Sequence, residues 1–217
     1  MPKDVGAMRK DVGMRHAADD RSSSSGVAVL ALQGDFEAHR RKLSEIGIAS
    51  FEARRPEQLM QADGLILPGG ESTTMWKFFE TLPWEQAIRE FGASGRPILG
   101  TCAGAILLAR EVTNPGQKGM GLLDIAVERN AYGRQLDSFI GQVDAPELGG
   151  PLPAVFIRAP RIRRVGNEVE TLAWLSSEPV LVRQGNILAA TFHPELTEDE
   201  RIHRLAFEAV AVRARRA

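Results

Sequence analysis

The chain of 217 residues holds one cysteine, Cys102. It sits in RPILGTCAGAILLA, an apolar run that breaks at Gly-Thr-Cys-Ala-Gly and continues as a helix. The pattern predicts a strand, a sharp turn and a helix, with the thiol on the turn. A thiol so placed is presented at a strand end and at a helix N-terminus, whose dipole favours thiolate. The small neighbours Gly100, Ala103 and Gly104 let a substrate and other backbone segments come close. A lone cysteine forms no internal disulfide, so the alternative to chemistry is core filling, a common use of a free thiol. The strand-turn-helix setting favours a nucleophile.

A second set fits the first. NILAATF is an apolar strand that runs into His193-Pro194-Glu195. Proline disfavours the α region for the residue before it, so His193 is expected to be extended. Residues i and i+2 of an extended segment point to the same side, which would put Glu195 behind the His193 imidazole. Cysteine, histidine and glutamate would then be nucleophile, base and orienting group. The plainer use of the tripeptide is a loop histidine followed by a solvated glutamate. Its place at a strand end, in a chain with one elbow cysteine, favours the chemical use.

A third segment, GLILPGGESTT, reads as a strand, two glycines and a polar helix start. Gly69 and Gly70 can adopt positive φ and turn backbone N–H groups toward a developing oxyanion. Ser72 or Thr73 is the expected N-cap of the helix STTMWKFFE. A plain glycine turn before a capped helix is the alternative. There is no Gly-Lys-Ser/Thr, so the segment is not a P-loop.

The elements that must position these groups alternate from Val27 onward. VAVLAL is a short buried strand, and GDFEAHRRKLSEIG an amphipathic helix with Phe36, Leu43 and Ile46 on one face. GIASFEA is a second strand, RPEQLMQ a short helix and GLILP a third strand. Helices around Trp76 and Trp84 follow, and both tryptophans are expected in the core. RPILGT is the strand before the cysteine turn. Such alternation implies a three-layer α/β fold with a largely parallel central sheet and helices on both faces. Sites then gather beyond the carboxyl ends of the strands. Residues 124–192 are richer in short strand patterns (IAVERNAY, SFIGQV, AVFIRA, PVLVRQ, NILAATF), some of them expected as antiparallel additions. A last helix over about residues 197–213 is expected to bury Ile202, Leu205, Ala206, Ala209 and Val210.

Composition sets outer bounds. Formal net charge is −1 and 43% of residues are hydrophobic, enough to bury a sizeable core in one domain. Acidic and basic residues nearly cancel, which speaks against a general nucleic-acid surface. No apolar stretch approaches the ~20 residues of a membrane span. One cysteine fits a reducing, cytoplasmic compartment. The four histidines are scattered, with no zinc-type cysteine–histidine spacing, so no metal is expected. Residues 1–26 differ from the rest: they carry mixed charges, a near repeat (KDVGAM, KDVGM) and a Ser-rich end, with no apolar stretch of a secretory signal. They are expected to be a disordered extension before a domain over residues 27–217, and residues 1–24 to be dispensable for stability and activity.

These residues resemble the class I, or triad-type, glutamine amidotransferases: GTCAGA resembles their nucleophile elbow and TFHPEL their His-x-Glu segment. More narrowly, LALQGDFEAH, PGGESTT, GTCAGAILLA, FIRAP and TFHPELT, in this order, resemble the glutaminase subunits of pyridoxal 5′-phosphate synthases. The likeness covers about residues 27–212. Many other amidotransferases have a glutamine two places after the second glycine of the elbow. Here that place is Ile106, which fits the vitamin B6 branch.

The resemblance implies a flavodoxin-like fold and hydrolysis of L-glutamine by Cys102, with His193 as base and proton donor and Glu195 holding His193. It implies an oxyanion hole at Gly70 and Ala103, and glutamine binding by Gly70, Glu71, Ser72, Arg129, Ile157 and Arg158. A strand-end arginine such as Arg158 also suits an α-carboxylate on its own chemistry. The partner implied is a β/α-barrel synthase subunit in a large hetero-oligomer. Pyridoxal phosphate would be the product of the complex, and neither cofactor nor metal is implied for this chain. Gln33-Gly34-Asp35 is a docking or gating segment, or else a helix start capped by Asp35. The rival readings are a cysteine hydrolase or peptidase of related fold, a regulatory module with a dead site, and an amidotransferase subunit of another pathway.

Overall fold

The computed structural model describes residues 26–129 and 138–214. The expected N-terminal extension up to residue 25, and residues 130–135 of VERNAYGRQ, lie outside them. Gly26, at the expected boundary, is buried, and its carbonyl accepts from the Asp63 N–H at 2.8 Å. Sheet bonding therefore reaches one residue ahead of the first strand.

The central sheet has seven strands. Five run parallel: β1 (Val27–Leu30), β2 (Ser50–Ala53), β3 (Gly64–Leu67), β4 (Ile98–Thr101) and β12 (Ile187–Ala190). Their spatial order is β12-β4-β3-β1-β2. The chain goes from β1 to β2 on one side and then returns to place β3 on the other, so the order reverses between β1 and β3. This is the flavodoxin-like arrangement, with its binding crevice at that reversal. Two antiparallel strands, β11 (Glu178–Gln184) and β10 (Glu170–Leu175), extend the sheet beyond β12.

Successive side chains of a strand point to opposite faces, and the core divides accordingly. Ala28, Leu30, Leu65, Leu67 and Ile98 face one layer, packed with Met75 and Phe79 of α2 (Ser72–Thr81), Trp84, Ile88 and Phe91 of α3 (Trp84–Ala93), and α4 (Ala103–Leu108). Val27, Val29, Ile66 and Leu99 face the other, against Leu43 of α1 (Phe36–Glu45) and Ile202, Phe207 and Val210 of α5 (Arg201–Ala214). The three-layer reading holds. So does the core placement of Trp84, which is fully buried, whereas Trp76 is only partly so.

The segment between β4 and β12 departs further from expectation. A three-stranded sheet joins β5 (Ala109–Thr113), β6 (Leu123–Glu128) and β9 (Arg161–Val165), and a hairpin pairs β7 (Ser138–Val143) with β8 (Leu152–Ile157). The sequence reading identified neither β5, β9 nor β10. Their sequences (AREVT, RIRRV, ETLAWL) are charged or mixed because each strand leaves one side wet. RPEQLMQ forms a 3-10 turn over Pro56–Gln61. The last helix starts four residues later than expected, after a 3-10 turn at Pro194–Leu196, where the Asp199 carboxylate accepts from the Arg201 N–H at 2.9 Å. Its buried face carries Ile202, His203, Phe207 and Val210, while Ala209 is exposed and Leu205 and Ala206 are half-buried. The stripe is shifted by the large Phe207, which the sheet takes in place of Ala209.

Candidate active site

Four loops leave the carboxyl ends of the parallel strands on one side of the sheet: Gln33–Asp35 after β1, Gly69–Ser72 after β3, Cys102 after β4 and His193 after β12. They surround a cavity of about 330 Å³. The outer wall comes from the ends of two added strands, Arg129 after β6 and Ile157–Arg158 after β8. Gly70, Glu71, Ser72, Arg129, Ile157 and Arg158 therefore all line the cavity that Cys102, Ile106 and His193 also line. Ala103 lies behind the wall as the first residue of α4, and Glu195 lies behind His193.

Cys102 is held at φ 48°, ψ −102°. A non-glycine residue at positive φ is strained, and such strain persists only where the surroundings enforce it. Here the Cys102 N–H donates to Ala190 O of the neighbouring strand at 2.8 Å, and its carbonyl accepts from Ile106 N at 3.3 Å. The chain thus switches from strand to helix in one residue and aims the thiol into the cavity. The Sγ lies 3.8 Å from the Ile157 carbonyl.

His193 is tied down by its N–H, which donates to Val155 O at 2.8 Å. Its Nδ1 meets Glu195 Oε1 at 2.7 Å, both residues being buried. The contact comes about differently from the expected extended segment. His193 caps the Pro194–Leu196 turn, and the turn, not strand alternation, brings the carboxylate back to the ring. Burial alone would lower the basicity of His193. Hydrogen bonding to Cys102 and to Glu195, and the charges of both, outweigh it and lift the imidazole from 6.5 to about 10. Burial raises the Glu195 carboxyl, and pairing with His193 opposes that rise.

The glycine pair is dictated by close approach. A Cβ on Gly69 would run into the His193 ring, and one on Gly70, at φ +148°, would sit 2.6 Å from Gln33 Oε1. That Gln33 oxygen accepts from the Glu71 N–H at 2.7 Å, fastening the β1 loop to the glycine loop. The cap of α2 is Glu71, not Ser72 or Thr73: its carboxylate accepts from Thr73 N at 3.1 Å and Thr73 Oγ1 at 2.7 Å. Ser72 is released to donate to Gln117 Oε1 at 3.0 Å. Arg129 pairs with Glu71 at 3.3 Å. Burial pushes the Glu71 carboxyl up, but its Thr73 bonds and the charges of Arg129 and Arg158 win and lower it, so it stays ionised. Asp35 stands at the N-cap of α1 without a side-chain capping bond.

The sequence reading gave no role to Gln117 or His39. Gln117 carries no local signal. His39 does: it lies three residues after Phe36 and four before Leu43, on the apolar stripe of α1, where a fully buried histidine must find partners. Among the described residues no group of three or more histidine, cysteine, aspartate or glutamate side chains could hold a metal ion, and no helix is long and apolar enough to cross a membrane.

A cysteine on a strained strand-to-helix turn, facing a strand-end histidine backed by a glutamate, on a flavodoxin-like sheet, defines an α/β enzyme of the triad amidotransferase class. The comparisons agree. The sequence pattern of the SNO glutamine amidotransferase family matches residues 29–212. The chain is 53% identical over 184 residues to the Koribacter versatilis pyridoxal 5′-phosphate synthase subunit PdxT, covering 85% of this chain and 95% of that one. It is 54% identical to the same-named subunit of Solibacter usitatus, over 82% of this chain and 96% of that one. A crystal structure of a glutamine amidotransferase superposes with a TM-score of 0.80 at 49% identity, covering 85% of this chain and 98% of that chain. The chain belongs to the SNO glutamine amidotransferase family.

Proposed function

We propose that this chain is a cytoplasmic glutaminase that hydrolyses L-glutamine to L-glutamate and ammonia through a Cys102 thioester. It passes the ammonia to a separate synthase subunit that builds pyridoxal 5′-phosphate. The observation that carries the reading is the convergence of Cys102 and His193 on one cavity of about 330 Å³, with Glu195 Oε1 2.7 Å behind His193 Nδ1. That is within the usual small-molecule range of roughly 300–1,000 Å³. The relatives' name as subunits of pyridoxal 5′-phosphate synthase supports the partner and the product.

The placement of the groups supports the following steps. His193 takes the Cys102 proton, and the thiolate attacks the side-chain amide carbon. The oxyanion forms against the backbone N–H groups of Gly70 and Ala103. His193 returns its proton to the departing nitrogen, so ammonia leaves and a γ-glutamyl thioester remains. A water then gives one proton to His193 and its hydroxide to the thioester; glutamate departs, and the proton goes back to sulfur. Glu195 keeps the ring oriented and offsets its positive charge. Arg158 takes the α-carboxylate with its planar fork. Glu71, Ser72, Arg129 and the Ile157 backbone complete the amino-acid contacts.

Replacing Cys102 by alanine tests this directly. Glutamate release is expected to vanish while the melting temperature is kept, and added ammonia is expected to restore pyridoxal phosphate formation by the synthase. Turnover by a folded Cys102→Ala protein would overturn the reading. Cleavage of peptides by the native chain would point to a hydrolase of the same fold instead.

A further inference from the structure

Behind the pocket, the polar chain does not end at Glu195. Its Oε1 faces His193, but its Oε2 is buried with no hydrogen-bond partner of ordinary geometry. That oxygen lies 3.4 Å from Nε2 of His39, a fully buried side chain of α1. The same Nε2 is 3.1 Å from Thr101 Oγ1, the residue before the nucleophile. On the far side, His39 Nδ1 is 3.0 Å from Nε2 of His203 in α5.

We infer that His39 is a positioning residue of the triad, donating its Nε2–H to Glu195 so that the carboxylate stays ionised and fixed behind His193. The inference rests on the triad reading proposed above. The hydrogen-bond inventory selects this direction. If Nε2 carries the proton, the N–H is shared between Thr101 Oγ1 and Glu195 Oε2, and Nδ1 is an acceptor that takes the Nε2–H of His203. What is left over is a bare lone pair on the buried His203 Nδ1, which has no partner. If the protons run the other way, the Thr101 hydroxyl can donate to the His39 Nε2 lone pair, but that lone pair still faces the Glu195 carboxylate and His203 Nδ1–H is a buried donor without an acceptor. An unpaired buried donor, with lone pair against carboxylate, is the costlier arrangement.

A donor at this place must also be neutral. A second cation behind Glu195 would compete with His193 for the same carboxylate. His39 is kept neutral by burial first, then by His203 and His193. The other charged groups around the network are Lys42 and Glu45 of α1, which pair at 2.8 Å and act on His203, Asp35, which acts on Glu195, and Cys102, which acts on His193. The 3.4 Å separation is long for a hydrogen bond; catalytic bonds in a free enzyme commonly tighten when substrate binds.

The test uses the full chain with its synthase partner for turnover, and the chain alone for thiol alkylation by iodoacetamide, which reports on Cys102 because it is the one cysteine present. His39→Leu is expected to lower kcat on the order of tenfold, the low end of the loss seen when a metal-ligating histidine loses its outer hydrogen-bond partner. KM should stay within about twofold. The alkaline limb of the alkylation profile should move to lower pH, because a less well supported Glu195 stabilises the His193 imidazolium less. His39→Gln, which keeps an N–H donor near the same place, is expected to recover most of both. If folded His39→Leu melts lower but keeps wild-type kcat and the same alkaline limb, His39 is merely structural and the inference fails. Should His39→Leu not fold, nitrogen-15 chemical shifts of the histidines in the native chain decide: His39 protonated on Nδ1 rather than Nε2 overturns the inference. Failure of the triad reading is separately visible. In that case the alkylation limb persists in His193→Ala, whatever His39 does.

Discussion

Two histidine sites lie on either side of one glutamate, and the chain uses them in opposite ways. At the pocket, His193 gains the thiol of Cys102 and the Glu195 carboxylate, and its basicity rises to about 10. On the helical face of the sheet, His203 meets burial and the Lys42 ammonium, only partly offset by Glu45, and falls to about 4. His39 falls too, by burial and by its two histidine neighbours. Both regions are buried, so burial does not decide the outcome. What decides it is a close bond to an anion: His193 Nδ1 meets Glu195 Oε1 at 2.7 Å, whereas His39 stands 3.4 Å from the other carboxylate oxygen and His203 meets only the neutral His39 ring. The pocket site is built to carry a proton and the other to refuse one.

The contrast breaks most visibly at His193. In the proposed mechanism His193→Ala removes both the base and the proton donor, and it is expected to lower kcat for glutamine hydrolysis by ~10²–10⁴-fold. Glu195→Gln should cost less, because an amide still orients the ring but no longer offsets its charge. It should also pull the alkaline limb of the rate profile below the wild-type position, since the anion that raises His193 is gone. The sign is fixed by the pairing: His193 is protonated below about 10 and loses its proton above it. Equal activity in wild type and both variants, measured as glutamate release with saturating synthase, would dissolve the distinction between the two regions. A smaller effect is expected at the pocket rim. Arg158→Gln should raise KM for glutamine by roughly ten- to a hundredfold, the value of a charge-assisted hydrogen bond, and change kcat less. A fall in kcat at constant KM would assign Arg158 to the chemistry rather than to binding.

The pocket region was the more legible of the two in the sequence. The apolar runs at β1, β3, β4 and β12 are buried on both faces, so they read as strands without tertiary information, and the groups that follow each run had to meet at one edge of a parallel sheet. Cys102, the Gly69–Gly70 turn and His193-Pro194-Glu195 were found that way. The pieces that failed depend on packing. β5, β9 and β10 are half-wet strands whose charged residues hide the alternation. The cap of α2 moved to Glu71 because its longer side chain reaches Thr73 while Arg129 holds it. Ala209 lost its expected place to Phe207 two residues earlier. His39 and His203 are 164 residues apart, and nothing local to either announces the other.

The mildest expected effect sharpens the contrast through stability alone. A histidine buried neutral must take up a proton at low pH, and the unfolded chain does so near 6.5 while the folded one resists until about 4. Between these values the unfolded state binds more protons, so stability is present above 6.5 and is lost as pH falls. A shift of this size amounts to roughly 3 kcal/mol for His203 at full effect. The carboxylates that are lowered in the fold, such as Glu71 and Asp199, act in a more acidic window, below their ordinary values of 4.5 and 3.8. The Glu195 carboxyl, raised by burial, acts above 4.5 with the sign opposite to that of His203, so the histidine share of the slope between pH 6.5 and 4.5 is read from the variants. His193 contributes with the opposite sign and elsewhere: its stabilisation is complete below 6.5 and fades as pH rises toward 10. Melting temperatures measured across pH 4.5–10 are expected to peak near 6.5. His203→Gln, which keeps an N–H donor but cannot be protonated, should flatten the acid slope and leave the alkaline slope alone. His193→Ala should flatten the alkaline slope and leave the acid one. An acid slope unchanged in His203→Gln would mean that His203 takes up its proton without cost, and the two histidine regions would no longer be opposites.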